Sequence, residues 1–286
     1  MSETPIKPRR SLIFVPGLRP DMVPKALATG ADIVCIDIED AIAPNDKDEA
    51  RAKTLELFAQ APAAGGAEIV VRINSLNTPD GLKDVLALLE CEAPPPAVML
   101  PKSKSAAEVR LLDELLIERC AAMRFHVIIE TNDALDAAYD IARACGRIDS
   151  ILFGAVDMAA ELRCEVAWEP LLYARGRLVN AAAGAGVDLI DVPYLDLNDS
   201  DGLAREAAAS AALGFTGKAA IHPKQIDPIN AAFSPDAAAL DYAHRVIDAF
   251  DQAEGGLVVV DGKLIEKPVL RSVHRTLAIA EKIGAA

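Results

Sequence analysis

Short hydrophobic runs alternate with longer stretches of helical spacing along most of the chain. Eight runs read as strands: SLIFVP (11–16), DIVCID (32–37), EIVVRI (68–73), AVMLP (97–101), HVIIE (126–130), SILFGA (150–155), DLIDVPY (188–194) and GKAAIHP (217–223). Most are continuous apolar runs rather than strict alternations, as suits strands covered on both faces. Between them lie Ala- and Leu-rich segments such as AAEVRLLDELLIERCAA (106–122) and LAREAAASAAL (203–213). Strand then helix, repeated along the chain, predicts an α/β fold, a (β/α)₈ barrel over residues 1–230. A doubly wound open sheet is the alternative. It normally carries a glycine fingerprint after its first strand, and VPGLRP is not one.

After the eighth run the pattern changes. Residues 235–254 predict a helix, GGLVVVDGKLIEKP a hairpin turning at Asp261-Gly262, and 268–284 a last helix. Residues 231–286 are therefore read as an extension of the barrel. Low-complexity stretches, such as APAAGGA at 61–67, are short.

Composition narrows the function classes. The chain has 286 residues, 52% hydrophobic and 25% charged, an ordinary globular balance with room for one barrel and an extension. Lys and Arg total 29 against 43 Asp and Glu, a net charge of −14. Such a surface argues against nucleic acid and anionic membranes as partners. It leaves room for an anionic small ligand, which needs only a few local cations. The five cysteines are scattered, with no C-x-x-C, and read as reduced, buried thiols of a cytoplasmic protein. The polar start MSETPIKPRR leads straight into a strand, which argues against a secretory signal. No apolar run reaches the roughly 20 residues of a membrane helix.

Barrel active sites lie at the C-terminal strand ends, and ionisable residues recur there. The second run ends in VCIDIEDA, crowding Asp37, Glu39 and Asp40 behind buried-strand residues. Ionised carboxylates are rarely buried unless paired, hydrogen-bonded or near a metal. The third run ends in Arg72 and Asn74, the fourth in Lys102, the fifth in Glu130; Asp157 follows the sixth, the seventh reaches Asp191, and the eighth ends at His222. Glu130 and Asp157 stand at successive strand ends. Two oxygen ligands with open positions suit Mg²⁺. Each could equally cap the helix that follows it. The four histidines are dispersed, so zinc is not indicated, and no G-x-S-x-G nucleophile elbow occurs.

RSLIFVPG, CIDIEDAIAPNDKDEAR, VRIN, LPK, IIET, FGAVDMAAEL and GFTGKAAIHPKQI, taken in order, resemble the citrate lyase β-subunit family of the aldolase/citrate lyase superfamily. That family includes malyl-CoA, β-methylmalyl-CoA and citramalyl-CoA lyases and malyl-CoA thioesterases. The resemblance implies a TIM barrel with a C-terminal helical lid, as a homotrimer or hexamer. It implies Mg²⁺ held by Glu130 and Asp157 and chelated by a hydroxy or keto acid. Arg72 would bind substrate oxygens, with bidentate geometry suited to anions. Asp37, Glu39 and Asp40 would orient Arg72 and the metal's waters, with Glu39 and Asp40 as the family's E-D pair. Ion pairing with nearby cations and capping of the next helix is the plainer reading of the three. Arg19, Lys25 and Lys218 are candidates for the phosphates of CoA, or ordinary surface charges.

The chain departs from the family pattern at three places. ETNDA stands for ETAxG after the fifth strand, and VPGLRP for VPGS after the first. In the tail, GKLIEKP puts Glu266 where an Asp would move a proton to or from the acyl-CoA carbon. The implied activity is Mg²⁺-dependent cleavage of a 3-hydroxy-3-carboxy acyl-CoA to glyoxylate or pyruvate and an acyl-CoA. The alternatives are a malyl-CoA thioesterase on the same site and a citrate lyase β-subunit acting on an acyl-carrier-protein thioester within a complex. A metal-dependent 2-keto acid aldolase working without CoA ranks lower.

Overall fold

The structure is a computed structural model that describes residues 7–59, 66–253 and 257–284. Most of the stretch at 61–67 and the glycine pair at 255–256 lie outside them. The chain divides into two compact units, one of Arg9–Ala232 and one that contains the segment from Phe233 onward.

In the first unit, parallel strands β1 (Ser11–Pro16), β2 (Ile33–Asp37), β3 (Glu68–Arg72), β4 (Ala97–Leu100), β5 (Arg124–Ile129), β6 (Ile148–Phe153), β7 (Asp188–Asp191) and β8 (Gly217–Ala220) form a closed barrel in sequence order. β8 returns to β1 by pairing Ser11 with Lys218 and Ile13 with Ala220. The strands match the predicted runs with shifted ends. β5 and β6 start two residues before the predicted runs, because pairing continues into polar positions where Arg124 Nε meets Asp149 at 2.9 Å. β7 stops at Asp191, short of Pro193, which has no N–H to continue a ladder.

Strand periodicity sorts side chains into two sets. Leu12, Ile33, Cys35, Val70, Met99, Ile128, Leu152 and Ile190 form one buried cluster within the barrel. One step of two further along β2, β3 and β5, the same face presents Asp37, Arg72 and Glu130. The other end of the interior is closed by ions. Buried Arg9 meets Glu68 at 2.7 Å, Asp149 at 2.5 Å and Asp188 at 3.0 Å, beside a His126–Ser150 hydrogen bond of 2.7 Å. Glu68, Asp149 and Asp188 all stand at strand starts, so the N-terminal end is plugged and the C-terminal end carries the cavity.

The opposite parity faces the helices. Asp191 and Lys218, both fully buried, lie 3.0 Å apart there, and Lys218 also reaches Glu206 at 2.6 Å.

The second unit contains helices Ala237–Asp251 and Lys267–Ile283 and the antiparallel pair β9 (Leu257–Val260) and β10 (Lys263–Glu266). Asp261 and Gly262 turn it with φ of +52° and +74°, the positive pair that a two-residue hairpin loop of this hand requires. Val258, Val260 and Ile265 pack with Ala243, Val246 and Val273. Leu257, Val259, Leu264 and Glu266 are exposed, and the register pairs Val259 with Leu264 and Leu257 with Glu266 on one face. Among the described residues, no helix is long and apolar enough to cross a membrane.

Candidate active site

Asp37 and Arg72 are register partners on neighbouring strands. Both side chains point to the barrel interior, and they meet edge to edge. Arg72 donates from Nε to Asp37 Oδ1 at 2.8 Å and from Nη2 to Oδ2 at 2.6 Å. The Asp37 carboxylate also accepts from the backbone N–H of Glu39 at 2.8 Å and of Ala41 at 3.1 Å. The guanidinium lies over the Phe14 ring, 5.1 Å from its centroid. Its remaining nitrogen, Nη1, is 3.0 Å from Glu39 Oε2 and 3.8 Å from Asp40 Oδ2. Burial alone would lower the Arg72 pKa, but Asp37 and Glu39 outweigh it and hold Arg72 charged.

Lys102 completes the cluster. Its Nζ donates to Glu39 Oε1 at 2.7 Å and to Asp40 Oδ1 at 3.1 Å. Burial pushes the Glu39 carboxyl up, against the opposing pull of Arg72 and Lys102. At half-exposed Asp40 burial also works upward, but the Lys102 bond and charge prevail and its pKa is lowered. The carboxylates after β2 are thus not idle: two cations bind them. Asp37 makes the tightest contact with Arg72, closer than either member of the E-D pair.

Glu130 follows β5 and is buried. Its Oε1 accepts from the backbone N–H of Lys102 at 2.7 Å. Gly154, after β6, makes room for it: a Cβ there would stand 2.4 Å from Glu130 Cβ and 2.7 Å from its Oε2. Burial raises the Glu130 carboxyl to about 8; the Lys102 N–H opposes this and the charge of Asp157 adds to it. Asp157 lies in the first turn of the helix Ala155–Leu162, whose N-cap Gly154 has no side chain to offer. The capping alternative does not describe Glu130, because Thr131 caps the next helix, accepting from Ala134 N–H at 3.2 Å.

Asp37, Asp40, Arg72, Glu130 and Asp157 line one cavity of about 430 Å³, with an apolar wall that includes Phe14, Ile128, Leu152, Val192 and Ile221. Its side-chain groups able to ligate a metal are carboxylate oxygens, without imidazole or thiol, the chemistry of a hard divalent cation. Among the described residues, no group of three or more His, Cys, Asp or Glu forms a metal cage. Two carboxylates with open positions fit Mg²⁺, which keeps several waters and takes ligands from its substrate. A buried carboxyl held up by burial and a neighbouring charge is what a bound cation would relieve.

Three predicted cations fare differently. Lys218 is corrected: its parity on β8 turns it into the helix layer, where Asp191 and Glu206 neutralise it, so it cannot meet a phosphate. Asp191, at the same strand level, faces the same way. Arg19 is exposed and paired with Asp21 at 2.8 Å, and Lys25 is exposed; neither lines the cavity. Glu266 belongs to the second unit and is exposed. His222 caps a short turn, accepting from Lys224 N–H at 3.1 Å. Lys102 is the contributor that strand-end reasoning noticed without giving it a role; its signal is the LPK stretch at the end of β4.

The chain is 33% identical to the citrate lyase subunit beta of Leuconostoc mesenteroides subsp. cremoris, covering 95% of this chain and 93% of that protein. It is 32% identical to the L-malyl-CoA/beta-methylmalyl-CoA lyase of Cereibacter sphaeroides, covering 98% and 97%. The structure of CitE from Mycobacterium tuberculosis in complex with magnesium, acetoacetate and coenzyme A superposes with a TM-score of 0.78 at 31% identity, covering 95% and 97%. Residues 178–280 match the C-C bond lyase family of the TIM-barrel fold. With residues 10–223, the whole barrel, matching its family model, the chain belongs to the HpcH/HpaI aldolase/citrate lyase family.

Proposed function

We propose that this chain is a Mg²⁺-dependent carbon–carbon lyase. Its substrate is a 3-hydroxy-3-carboxy acyl-CoA of the malyl, methylmalyl or citramalyl kind, cleaved to glyoxylate or pyruvate and an acyl-CoA. The observation that carries this reading is the meeting of Glu130, Asp157 and Arg72 in one cavity that is otherwise largely apolar. The named activities of the two relatives and the magnesium and CoA of the CitE complex support it.

Cleavage removes the proton of the 3-hydroxyl and breaks the bond between C2 and C3. The electron pair stays on the acyl-CoA half as an enolate, which then takes a proton at C2. Glu130 and Asp157 would hold Mg²⁺, which when bound would supply Lewis-acid charge to the keto acid half. Arg72 offers a fixed cation to the thioester oxygen as charge develops there. Asp37 holds two of its nitrogens, so the guanidinium needs little reorganisation at that moment. The apolar wall excludes water from the enolate. Glu266 is the proposed proton carrier, and Arg19 and Lys25 the proposed CoA phosphate contacts.

The test is incubation of the pure protein with Mg²⁺ and (S)-malyl-CoA or (S)-citramalyl-CoA, with products resolved by mass. Glyoxylate or pyruvate together with acetyl-CoA is the expected result. Free CoA with malate or citramalate would make the protein a thioesterase instead. No turnover of either, restored by acyl-carrier-protein thioester and partner subunits, would make it a citrate lyase β-subunit.

A further inference from the structure

Lys102 does not line the cavity, yet it touches three residues of the site. Its backbone is also unusual. Among the described residues, three other than glycine have positive φ: Lys102 at +53°, Arg163 and Asp261. Arg163 caps a helix C-terminus and Asp261 turns the hairpin, both ordinary uses of that region. Lys102 does neither; it comes two residues after β4. A long side chain in the left-handed region is strained, and such strain gathers where the surroundings over-determine a geometry. The Lys102 side chain is 38% exposed and its partner Asp40 is half-exposed, and an exposed pair of that kind contributes little to stability.

What the left-handed turn achieves is specific. It aims the Lys102 N–H at Glu130 Oε1 while the side chain reaches Glu39 and Asp40. Those same two carboxylates face Nη1 of Arg72. Without the ammonium, Glu39 and Asp40 would fall to Arg72 alone and neutralise the cation that the substrate needs. Without the backbone turn, Glu130 would lose its hydrogen bond. We propose that Lys102 is a positioning residue with two separable parts: its backbone sets the metal carboxylate Glu130, and its ammonium shares Glu39 and Asp40 with Arg72, so that their negative charge does not fall on the guanidinium alone. This rests on the Mg²⁺ lyase reading above.

The two parts can be separated by substitution. Lys102→Gly keeps the backbone turn, since glycine adopts positive φ freely, and removes the ammonium. Lys102→Val disfavours the turn and removes the ammonium as well. Lys102→Arg keeps a cation. Calorimetric titration with Mg²⁺ alone, in the absence of substrate, reads the first part. It is expected to give Lys102→Gly the wild-type Kd and to weaken Lys102→Val by about tenfold or more, the scale of one hydrogen bond to a charged group. Turnover reads the second part. In Lys102→Gly, kcat is expected to fall by about tenfold or more with the Mg²⁺ Kd unchanged, and Lys102→Arg is expected to restore part of it. Thermal melts confirm that each variant is folded; if Val does not fold, Lys102→Ala carries the same comparison more mildly. Equal Mg²⁺ affinity in the Gly and Val (or Ala) variants, or full turnover in the Gly variant, overturns the proposal while leaving the lyase reading intact. Wild-type protein that neither binds Mg²⁺ nor cleaves an acyl-CoA overturns both.

Discussion

Asp37 grips Arg72 along two parallel hydrogen bonds of 2.8 and 2.6 Å, and the two residues are register partners on adjacent strands. Ladder and ion pair thus fix the guanidinium from opposite ends, backbone and tip. Charge alone does not do this; the fork needs both carboxylate oxygens. Asp37→Asn keeps the shape but offers one acceptor oxygen and no charge. It is expected to lower kcat/KM on the order of 100-fold, since misplacement of a charged group by about an ångström costs that much. Steady-state kinetics on the CoA thioester measure it. Calorimetry should find Mg²⁺ affinity little changed, because Asp37 touches Arg72 and not Glu130.

Gly154 tests the other half of the site. The Cβ of Gly154→Ala would meet Glu130 Cβ at 2.4 Å, so one of the two must move. Its φ of −88° suits alanine, so the effect is steric rather than conformational. The expected result is a Mg²⁺ Kd weakened by about 10- to 100-fold, the usual scale for disturbing a ligand's support. Glu130→Gln should weaken it further. Retained wild-type Mg²⁺ affinity in Gly154→Ala would show that Glu130 tolerates displacement, and would count against it as a ligand.

The barrel was legible because parallel strands buried on both faces leave continuous apolar runs, with polar residues at their ends. The positions of Arg72 and Glu130 followed from the same rule, since each ends an interior-facing series: Val70 then Arg72, Ile128 then Glu130. Lys218 did not follow, because a continuous apolar run conceals parity. Nothing in GKAAIHP distinguishes inward Ala219 from outward Lys218, and only the closed barrel assigns them. The position of Lys102 was legible at the end of the fourth run, but its role was hidden for another reason. Its contact to Glu130 is made by backbone N–H in a left-handed turn, and a lysine, unlike glycine, asparagine or aspartate, does not signal that conformation. The strand ends after β5 and β6 were read as metal ligands or helix caps, and side-chain direction, which separates these roles, is a tertiary property.

Glu266 yields a prediction about protons. It lies on the outer hairpin face opposite Leu257, exposed, where a carboxylate is available to a ligand. If it carries the proton of the enolate, Glu266→Gln should lose Mg²⁺-dependent exchange of the acyl-CoA α-protons with D₂O by about 10²- to 10⁴-fold. Its Mg²⁺ affinity should stay that of wild type. Glu266→Asp shortens the arm by one methylene and should keep part of the exchange. Exchange undiminished in Glu266→Gln would assign the proton to another group.

The buried pair behind the barrel predicts the acid limit of stability. Burial works to raise the Asp191 carboxyl, but Lys218 and Arg175 outweigh it and lower its pKa. The sign follows from proton counts. Below the unfolded value of about 3.9, the unfolded chain takes up a proton that native Asp191 refuses, so stability falls as pH falls. Glu68, held well below the usual range by His126 and Arg9 against its burial, adds to the same trend. Above about pH 5 this contribution is complete and flat. Lys218→Met removes one counter-charge and leaves Asp191 buried with Arg175. It is expected to cost about 3–5 kcal/mol at pH 7, the usual loss when one partner of a buried pair is removed. Asp191 in the variant is no longer held so low, so native and unfolded chains bind protons more equally. The gap between variant and wild type should therefore narrow as pH drops from about 5 to 3. Urea unfolding at a series of pH values measures both curves; a gap that stays constant through that window would mean that Lys218 does not set the charge of Asp191.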